Sequence, residues 1–136
     1  MMIVLANALT GFLLSTQGWS EAIAGKGIVT TVTKATFQTE VLQSKTPVLV
    51  DFYADWCGPC RIYKLTVDQV AQDYVGQLKV VRVDVDKNQR LAGAYNVDEL
   101  PTTLLIKNGK NFNRWIGILG KADAETEIDK MLKTAE

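Results

Sequence analysis

The sequence predicts an α/β domain in which a mixed β-sheet lies between two layers of helices. Strand-like and helical stretches alternate from Gly25 onward, in the order β-α-β-α-β-α-β-β-α. The stretch Val48–Tyr53 is apolar except for Asp51, which is typical of a central strand buried on both faces. Asn108-Gly109 indicates a hairpin between the last two strands, so part of the sheet is antiparallel.

The first half of the domain contributes two strands and two helices. Residues 28–32 are rich in β-branched side chains, which favour a strand, and Thr33 is a suitable N-cap for a helix over residues 34–43. After the buried strand, a second helix opens at residues 57–60 and reaches about Tyr74. The proline in that opening suits a first helical turn, because its missing N–H would be unpaired there anyway.

The second half completes the sheet and adds two helices. Its predicted elements are a strand over residues 78–85, a short helix over 88–95, strands over 102–106 and 111–116, and a closing helix over 121–134. Gly117 and Gly120 separate the last strand from the last helix. The predicted domain therefore spans residues 26–136.

Residues 1–25 precede this domain and contain one charged side chain, Glu21. The apolar run from Met1 to Leu14 is shorter than the roughly 20 residues that a membrane-spanning helix needs. It fits the apolar region of a signal peptide, and residues 22–24 resemble a cleavage site, although no Lys or Arg precedes the run. Three interpretations stay open: a signal peptide, an extra helix packed on the domain or on a partner, and a non-native leader from an upstream start codon.

The composition excludes several classes of chemistry. The chain has 15 basic and 15 acidic residues, whereas a protein that binds nucleic acid through phosphate contacts shows a basic excess. It has no histidine, which excludes Ser-His and Cys-His catalytic pairs and histidine-ligated zinc. Its two cysteines are too few for a four-cysteine metal site, but they suffice for one reversible disulfide.

The two cysteines, Cys57 and Cys60, lie where the buried strand ends and the next helix begins. The free N–H groups and the dipole of a helix N-terminus stabilise a thiolate, so Cys57 is the predicted attacking sulfur. Cys60, one turn further into the helix, is the predicted resolving thiol of thiol–disulfide exchange. Zinc would need further Cys or His ligands, and haem attachment would need a histidine where Arg61 stands. A permanent disulfide or two inert core cysteines are the alternatives.

Residues 50–60, with the sequence VDFYADWCGPC, resemble the active-site strand and turn of the thioredoxin family. The resemblance runs from about Thr30 to Leu132 and includes Pro101-Thr102, the Lys107-Asn108-Gly109 turn and Gly117. It implies the thioredoxin fold, with a central mixed β-sheet flanked by helices on both faces. It also implies a protein-disulfide oxidoreductase that reduces disulfides through a Cys57–Cys60 pair.

The resemblance assigns roles to individual residues. Asp51 matches the family's buried carboxylate and joins Cys57 and Cys60 in the catalytic set. Burial raises the pKa of a carboxyl group, so Asp51 is the expected proton carrier for Cys60; a hydrogen-bonded structural acid is the alternative. Arg82 stands where the family usually has a lysine near this acid. Pro101 matches the family's cis-proline within the expected surface for docking of target chains, which comprises Trp56, Gly58, Pro59, Leu100, Pro101, Gly117 and Ile118.

Three features depart from the family pattern. Leu65 replaces a proline that kinks the active-site helix in many thioredoxins, so the helix is straighter or bends by another route. Asp98 and Glu99 precede Leu100-Pro101, where a basic and a small residue are common, and their charges favour basic target proteins. Tyr53 replaces a frequent tryptophan. These departures concern the choice of partners rather than the reaction.

A general reductant of protein disulfides in the cytoplasm is the leading interpretation. The resemblance implies disulfide-containing target proteins, no bound cofactor, and a redox-active disulfide that an external thioredoxin reductase, NADPH- or ferredoxin-linked, restores to the dithiol. We expect a monomer with no nucleic-acid partner, and membrane contact only if residues 1–25 are kept as an anchor. One alternative is an exported or periplasmic thiol–disulfide exchanger of isomerase type, if residues 1–24 are a signal peptide. Another is a redox-independent chaperone or processivity subunit.

Overall fold

The computed structural model describes residues 28–135, which alternate strands and helices in the predicted order. The strands are β1 (Val29–Thr31), β2 (Val48–Tyr53), β3 (Lys79–Asp84), β4 (Thr102–Lys107) and β5 (Lys110–Ile116). The helices are α1 (Lys34–Phe37), which continues as a π-helix over Gln38–Leu42, then α2 (Gly58–Asp73), α3 (Gln89–Ala94) and α4 (Lys121–Lys133). The interpretations of residues 1–25, and with them the domain boundary at residue 26, lie outside the described residues.

The five strands form one mixed sheet in the order β1-β3-β2-β4-β5. β2 pairs in parallel with β3 and antiparallel with β4, so Val48–Tyr53 is the central strand, as predicted. β4 and β5 form the predicted hairpin, and Asn108 and Gly109 both have the positive φ that its tight turn requires. The predicted α/β fold is confirmed.

Each face of the sheet has its own hydrophobic core, because side chains alternate along every strand. One core packs α1 and α3 against Val48, Val50 and Phe52. The other packs α2 and α4 against Leu49. Asp51 comes two residues after Leu49 and therefore faces the second core, beneath α2.

The first helix departs from the single α-helix predicted over residues 34–43. Thr33 is its N-cap as predicted, and the Thr33 N–H donates to Thr36 Oγ1 at 3.0 Å. After Phe37 the chain winds as a π-helix. Phe37 and Val41 are both buried, and α- and π-winding both bring residues four apart onto one face. The hydrophobic pattern therefore does not distinguish the two forms.

The helix that carries the cysteines, α2, is one continuous α-helix of 16 residues. Pro59 lies in its first turn, as predicted. Leu65, at the position where the resemblance implies a proline, lies in its middle with 68% of its surface exposed and adds to the solvent-facing surface. None of the described helices is long and apolar enough to cross a membrane.

Candidate active site

Cys57 and Cys60 form a disulfide at the amino end of α2, with their Cα atoms 5.3 Å apart. Cys57 is the N-cap residue of α2, and its Sγ accepts a hydrogen bond from the Cys60 N–H at 3.2 Å. A helix N-terminal N–H therefore points at the sulfur that is predicted to attack, where it stabilises a thiolate. Cys57 keeps 4% of its surface exposed and Cys60 1%, so Cys57 is the more accessible of the two.

A groove of about 390 Å³ lies beside Cys57. Four of the predicted docking residues line it: Trp56, Gly58, Pro59 and Leu100. Asp98, whose charge is expected to favour basic targets, also lines it, and two further lining residues are absent from the sequence prediction: Val85 and Val97. Val85 directly follows β3, whose carboxyl end lies beside that of β2, so the strand order could have indicated its position. Val97 follows a short helix and carries no comparable signal.

The peptide bond between Leu100 and Pro101 is cis, as the resemblance implies. Pro101 is buried, and its carbonyl accepts a hydrogen bond from the Gly117 N–H at 2.8 Å. Ile118, which follows Gly117 in the chain, is about half exposed. Gly117 is thus hydrogen-bonded to Pro101 through their backbone groups. Neither Gly117 nor Ile118 lines the groove next to Cys57.

The indole of Trp56 lies at the surface next to Cys57, with 69% of the residue exposed. Its Nε1 donates a hydrogen bond to Asp86 Oδ2 at 2.8 Å. This contact fixes the direction of the ring and gives Asp86 a role that no sequence motif indicates. A large exposed aromatic side chain held in one orientation is suited to contact with another protein.

Asp51 is fully buried, and Arg82 Nε donates a hydrogen bond to its Oδ2 at 2.8 Å. The two residues are paired between the parallel strands β2 and β3, so the register places the cation beside the acid. Oδ1 has no hydrogen-bond partner among the described residues. Burial raises the pKa of Asp51 above its ordinary 3.8, the hydrogen bond and charge of Arg82 lower it, and Asp68 adds a smaller rise. Burial prevails, so this carboxyl group holds a proton more tightly than an exposed aspartate does.

A second cavity, of about 240 Å³, reaches Cys60. Its lining residues are Tyr53, Ala54, Asp55, Cys60, Arg61, Lys64 and Arg82. Arg61 braces this region by donating from Nε and Nη2 to the Asp55 carbonyl, at 3.2 and 2.9 Å. The cavity brings Cys60, the predicted resolving cysteine, and Arg82, the ion-pair partner of the buried acid, to one space.

The polar row beneath α2 continues from Asp51 to Thr103 of β4 and Trp115 of β5, its successive neighbours across the sheet. The Tyr63 hydroxyl accepts hydrogen bonds from Thr103 Oγ1 at 3.0 Å and from Trp115 Nε1 at 3.2 Å. Burial raises the pKa of Tyr63 to about 12, so its phenol stays neutral. These contacts satisfy the buried polar groups beside the acid and leave Oδ1 of Asp51 as the exception in the described part of the chain.

Within residues 28–135, no three Cys, Asp or Glu side chains gather so that they could hold a metal ion. The sulfur atoms of Cys57 and Cys60 are bonded to each other as a disulfide, and the sequence contains no other cysteine.

Comparison with known proteins places this site in a family. Residues 28–130 match the family model Thioredoxin. Thioredoxin 1 of Synechococcus elongatus is 43% identical over 105 residues, which cover 77% of this chain and 98% of that protein. Thioredoxin 1 of Nostoc sp. is 43% identical over 74% of this chain and 94% of its own length, and the thioredoxin of Pseudomonas aeruginosa is 40% identical over the same shares. The chain therefore belongs to the thioredoxin family, and it is a protein-disulfide oxidoreductase that acts by thiol–disulfide exchange through Cys57 and Cys60.

Proposed function

We propose that the chain is a general reductant of target proteins, in which Cys57 attacks and Cys60 resolves. The observation that carries this proposal is the position of Cys57, which caps the N-terminus of α2 and also lines the groove. A target disulfide that enters the groove meets the sulfur whose thiolate the helix stabilises. Trp56, Leu100 and Pro101 are the proposed contacts of the target chain around it.

The proposed reaction is a pair of thiol–disulfide exchanges. The Cys57 thiolate attacks one sulfur of the target disulfide, which forms a mixed disulfide and releases the other target sulfur as a thiolate. Cys60 gives its proton to a base, and its thiolate attacks Cys57 Sγ. The Cys57–Cys60 disulfide forms and the second target sulfur leaves, so two electrons pass from the chain to the target.

Asp51 is the proposed base for Cys60. It lies beneath α2, the helix that carries Cys60, and its Oδ1 has no hydrogen-bond partner among the described residues. Burial raises its pKa toward that of a thiol, which favours proton exchange between the two groups. The sequence also has no histidine that could do this work.

The cycle needs a source of electrons and a reducing compartment. We propose an external thioredoxin reductase, NADPH- or ferredoxin-linked, as the source, and the cytoplasm as the compartment, because thiols are kept reduced there. The second candidate is an exported thiol–disulfide exchanger, which the apolar run at residues 1–14 favours. N-terminal sequencing of the protein from its host separates the two.

The reduction potential of the Cys57–Cys60 pair tests the direction of the reaction. We expect a value near the roughly −270 mV of thioredoxins, because the residues between the cysteines are the Gly-Pro of the reducing members of the family. Equilibration with redox buffers followed by thiol quantification measures it. A potential above about −180 mV, in the range of isomerases and oxidants, would support the exported exchanger instead.

The charges of Asp98 and Glu99 are expected to select basic targets. Both are exposed, and Asp98 lines the groove. The Asp98→Asn/Glu99→Gln variant should reduce a peptide disulfide flanked by lysines roughly two- to tenfold more slowly than the wild type at low salt, because two favourable charge contacts are lost. Steady-state kcat/KM for peptides flanked by lysine and by glutamate, at low and high salt, measures the effect.

The control for this prediction is a variant with the same change of charge far from the groove. The Asp73→Asn/Asp129→Asn variant serves this purpose. Asp73 is the last residue of α2, which places it about 24 Å from Cys57 at 1.5 Å per helical residue. Asp129 accepts a hydrogen bond from Tyr74, the residue after Asp73. Equal loss of rate in both variants would show that net charge, rather than the groove, selects the target.

A further inference from the structure

Two contacts of different kinds hold Arg82. Its Nε donates to Asp51 Oδ2 at 2.8 Å, and its Cζ lies 3.8 Å from the centroid of the Tyr53 ring. A guanidinium over an aromatic face at this distance forms a cation–π contact, which strengthens as water is excluded. The Arg82 side chain is 12% exposed, so its charged head is largely removed from solvent.

Arg82 borders a space into which its charged head could turn away from Asp51. Arg82 and Tyr53 both line the cavity that reaches Cys60, and Asp55 lines it as well. A long basic side chain tends to extend its charged head toward water. The Tyr53 ring offsets that tendency, because it attracts the guanidinium at the wall of the cavity next to Asp51.

We propose that Tyr53 is a positioning residue for the proton step: its ring face keeps the Arg82 guanidinium on Asp51, so that the buried acid can release the proton that it takes from Cys60. A proton carrier must give up its proton as well as bind it, and burial alone makes release unfavourable. The hydrogen bond and positive charge of Arg82 stabilise the ionised form of Asp51 and so ease the release of its proton. This inference rests on the proposed role of Asp51 as proton carrier, and it assigns to Tyr53 the control of how readily Asp51 ionises.

The titratable groups that face Asp51 come from three elements: Arg82 from β3, Asp68 and Tyr63 from α2, and Tyr53 from β2. The neighbour on β4, Thr103, is neutral. Of the facing groups, Arg82 carries the positive charge and lowers the pKa of Asp51, whereas Asp68 raises it. The acid is therefore sensitive to where Arg82 lies.

The test compares Tyr53→Leu with Tyr53→Phe, which keeps the ring. NMR of the Asp51 carboxyl carbon in the oxidised protein measures the midpoint of its titration without turnover, and insulin reduction gives the pH profile of the rate. In Tyr53→Leu the midpoint should rise by roughly half a pH unit to one pH unit, because Arg82 is held less firmly. The pH profile should move in the same direction. Tyr53→Phe should keep the midpoint of the wild type.

A second comparison asks whether the effect passes through Arg82. In an Arg82→Met background, which has no guanidinium to position, Tyr53→Leu should cause no further shift. An unshifted midpoint in Tyr53→Leu, an equal shift in Tyr53→Phe, or the same shift in the Arg82→Met background overturns the proposal. If Arg82→Met does not fold, the comparison of the leucine and phenylalanine variants still decides. Because the titration requires no turnover, its failure is distinct from failure of Asp51 as the proton carrier.

Discussion

Cys57→Ser is expected to bring the reduction of insulin disulfides down to the uncatalysed background. The first exchange requires a thiolate at the N-cap of α2, and a serine hydroxyl is not ionised at neutral pH and does not attack disulfides. The turbidity of precipitating insulin chains, with dithiothreitol as the electron donor, measures the rate. Normal turnover by this variant would disprove the proposed mechanism.

Cys60→Ser is the matched control for this prediction, because it keeps the attacking sulfur and removes the resolving one. The mixed disulfide between Cys57 and the target should then persist, since no second thiol within the chain can release it. Non-reducing electrophoresis should show a covalent adduct with the target in Cys60→Ser and none in Cys57→Ser. The reverse pattern would exchange the roles of the two cysteines.

Asp51→Asn is expected to slow disulfide reduction at neutral pH and to stabilise the folded protein. The rate falls because the amide cannot take the proton of Cys60. Stability rises because the folded state raises the pKa of Asp51, so the folded protein binds this proton more tightly than the unfolded chain does. The unfolding free energy of the wild type therefore decreases as the pH rises from about 4 through the folded-state pKa.

The asparagine variant lacks this decrease. At pH 7 it should be more stable than the wild type, and the difference should grow as the pH rises from about 4 toward the folded-state pKa of Asp51. Urea unfolding of the oxidised proteins between about pH 4 and 8 measures the difference, and insulin reduction between about pH 6 and 9 measures the rate. A rate that keeps the wild-type pH profile would contradict the role of Asp51 as proton carrier.

Asp84→Asn is a matched control for the asparagine variant. Asp84 is also a buried acid, at the end of the neighbouring strand β3, but its Oδ1 accepts a hydrogen bond from the Asp86 N–H at 2.9 Å. Its substitution should not move the pH profile of the reaction. A shift equal to that of Asp51→Asn would show that any neutralised buried acid alters the rate.

Signals confined to a short stretch of sequence predicted the elements of the fold. β2 has the predicted bounds because its apolar run ends at the turn before Cys57. The N-cap at Thr33 and the hairpin at Asn108-Gly109 were also predicted from a few adjacent residues. The π-helical stretch after Phe37 was missed, because the same buried positions suit either winding.

Contacts between distant residues account for what the sequence did not predict. Trp56 binds Asp86, which is 30 residues further along the chain, and no local pattern pairs an exposed indole with that acid. The stacking of Arg82 on Tyr53 depends on the register of β2 and β3. The resemblance indicated that a basic residue lies near Asp51, but not what holds it. Long-range pairing and register are properties of the assembled sheet, so they require the structure.

Because Asp51 pairs with Arg82 across two strands, the register of β2 and β3 bears on the proposed proton step. Successive side chains of a strand point to opposite faces, so a slip of one residue would turn Arg82 to the other side of the sheet and bring Val81 or Val83 beside the acid. The buried carboxyl group would then lose its counter-ion although Cys57, Cys60 and Asp51 were still present. Insertions or deletions that shift this register are therefore expected to impair the proposed proton step as well as the packing.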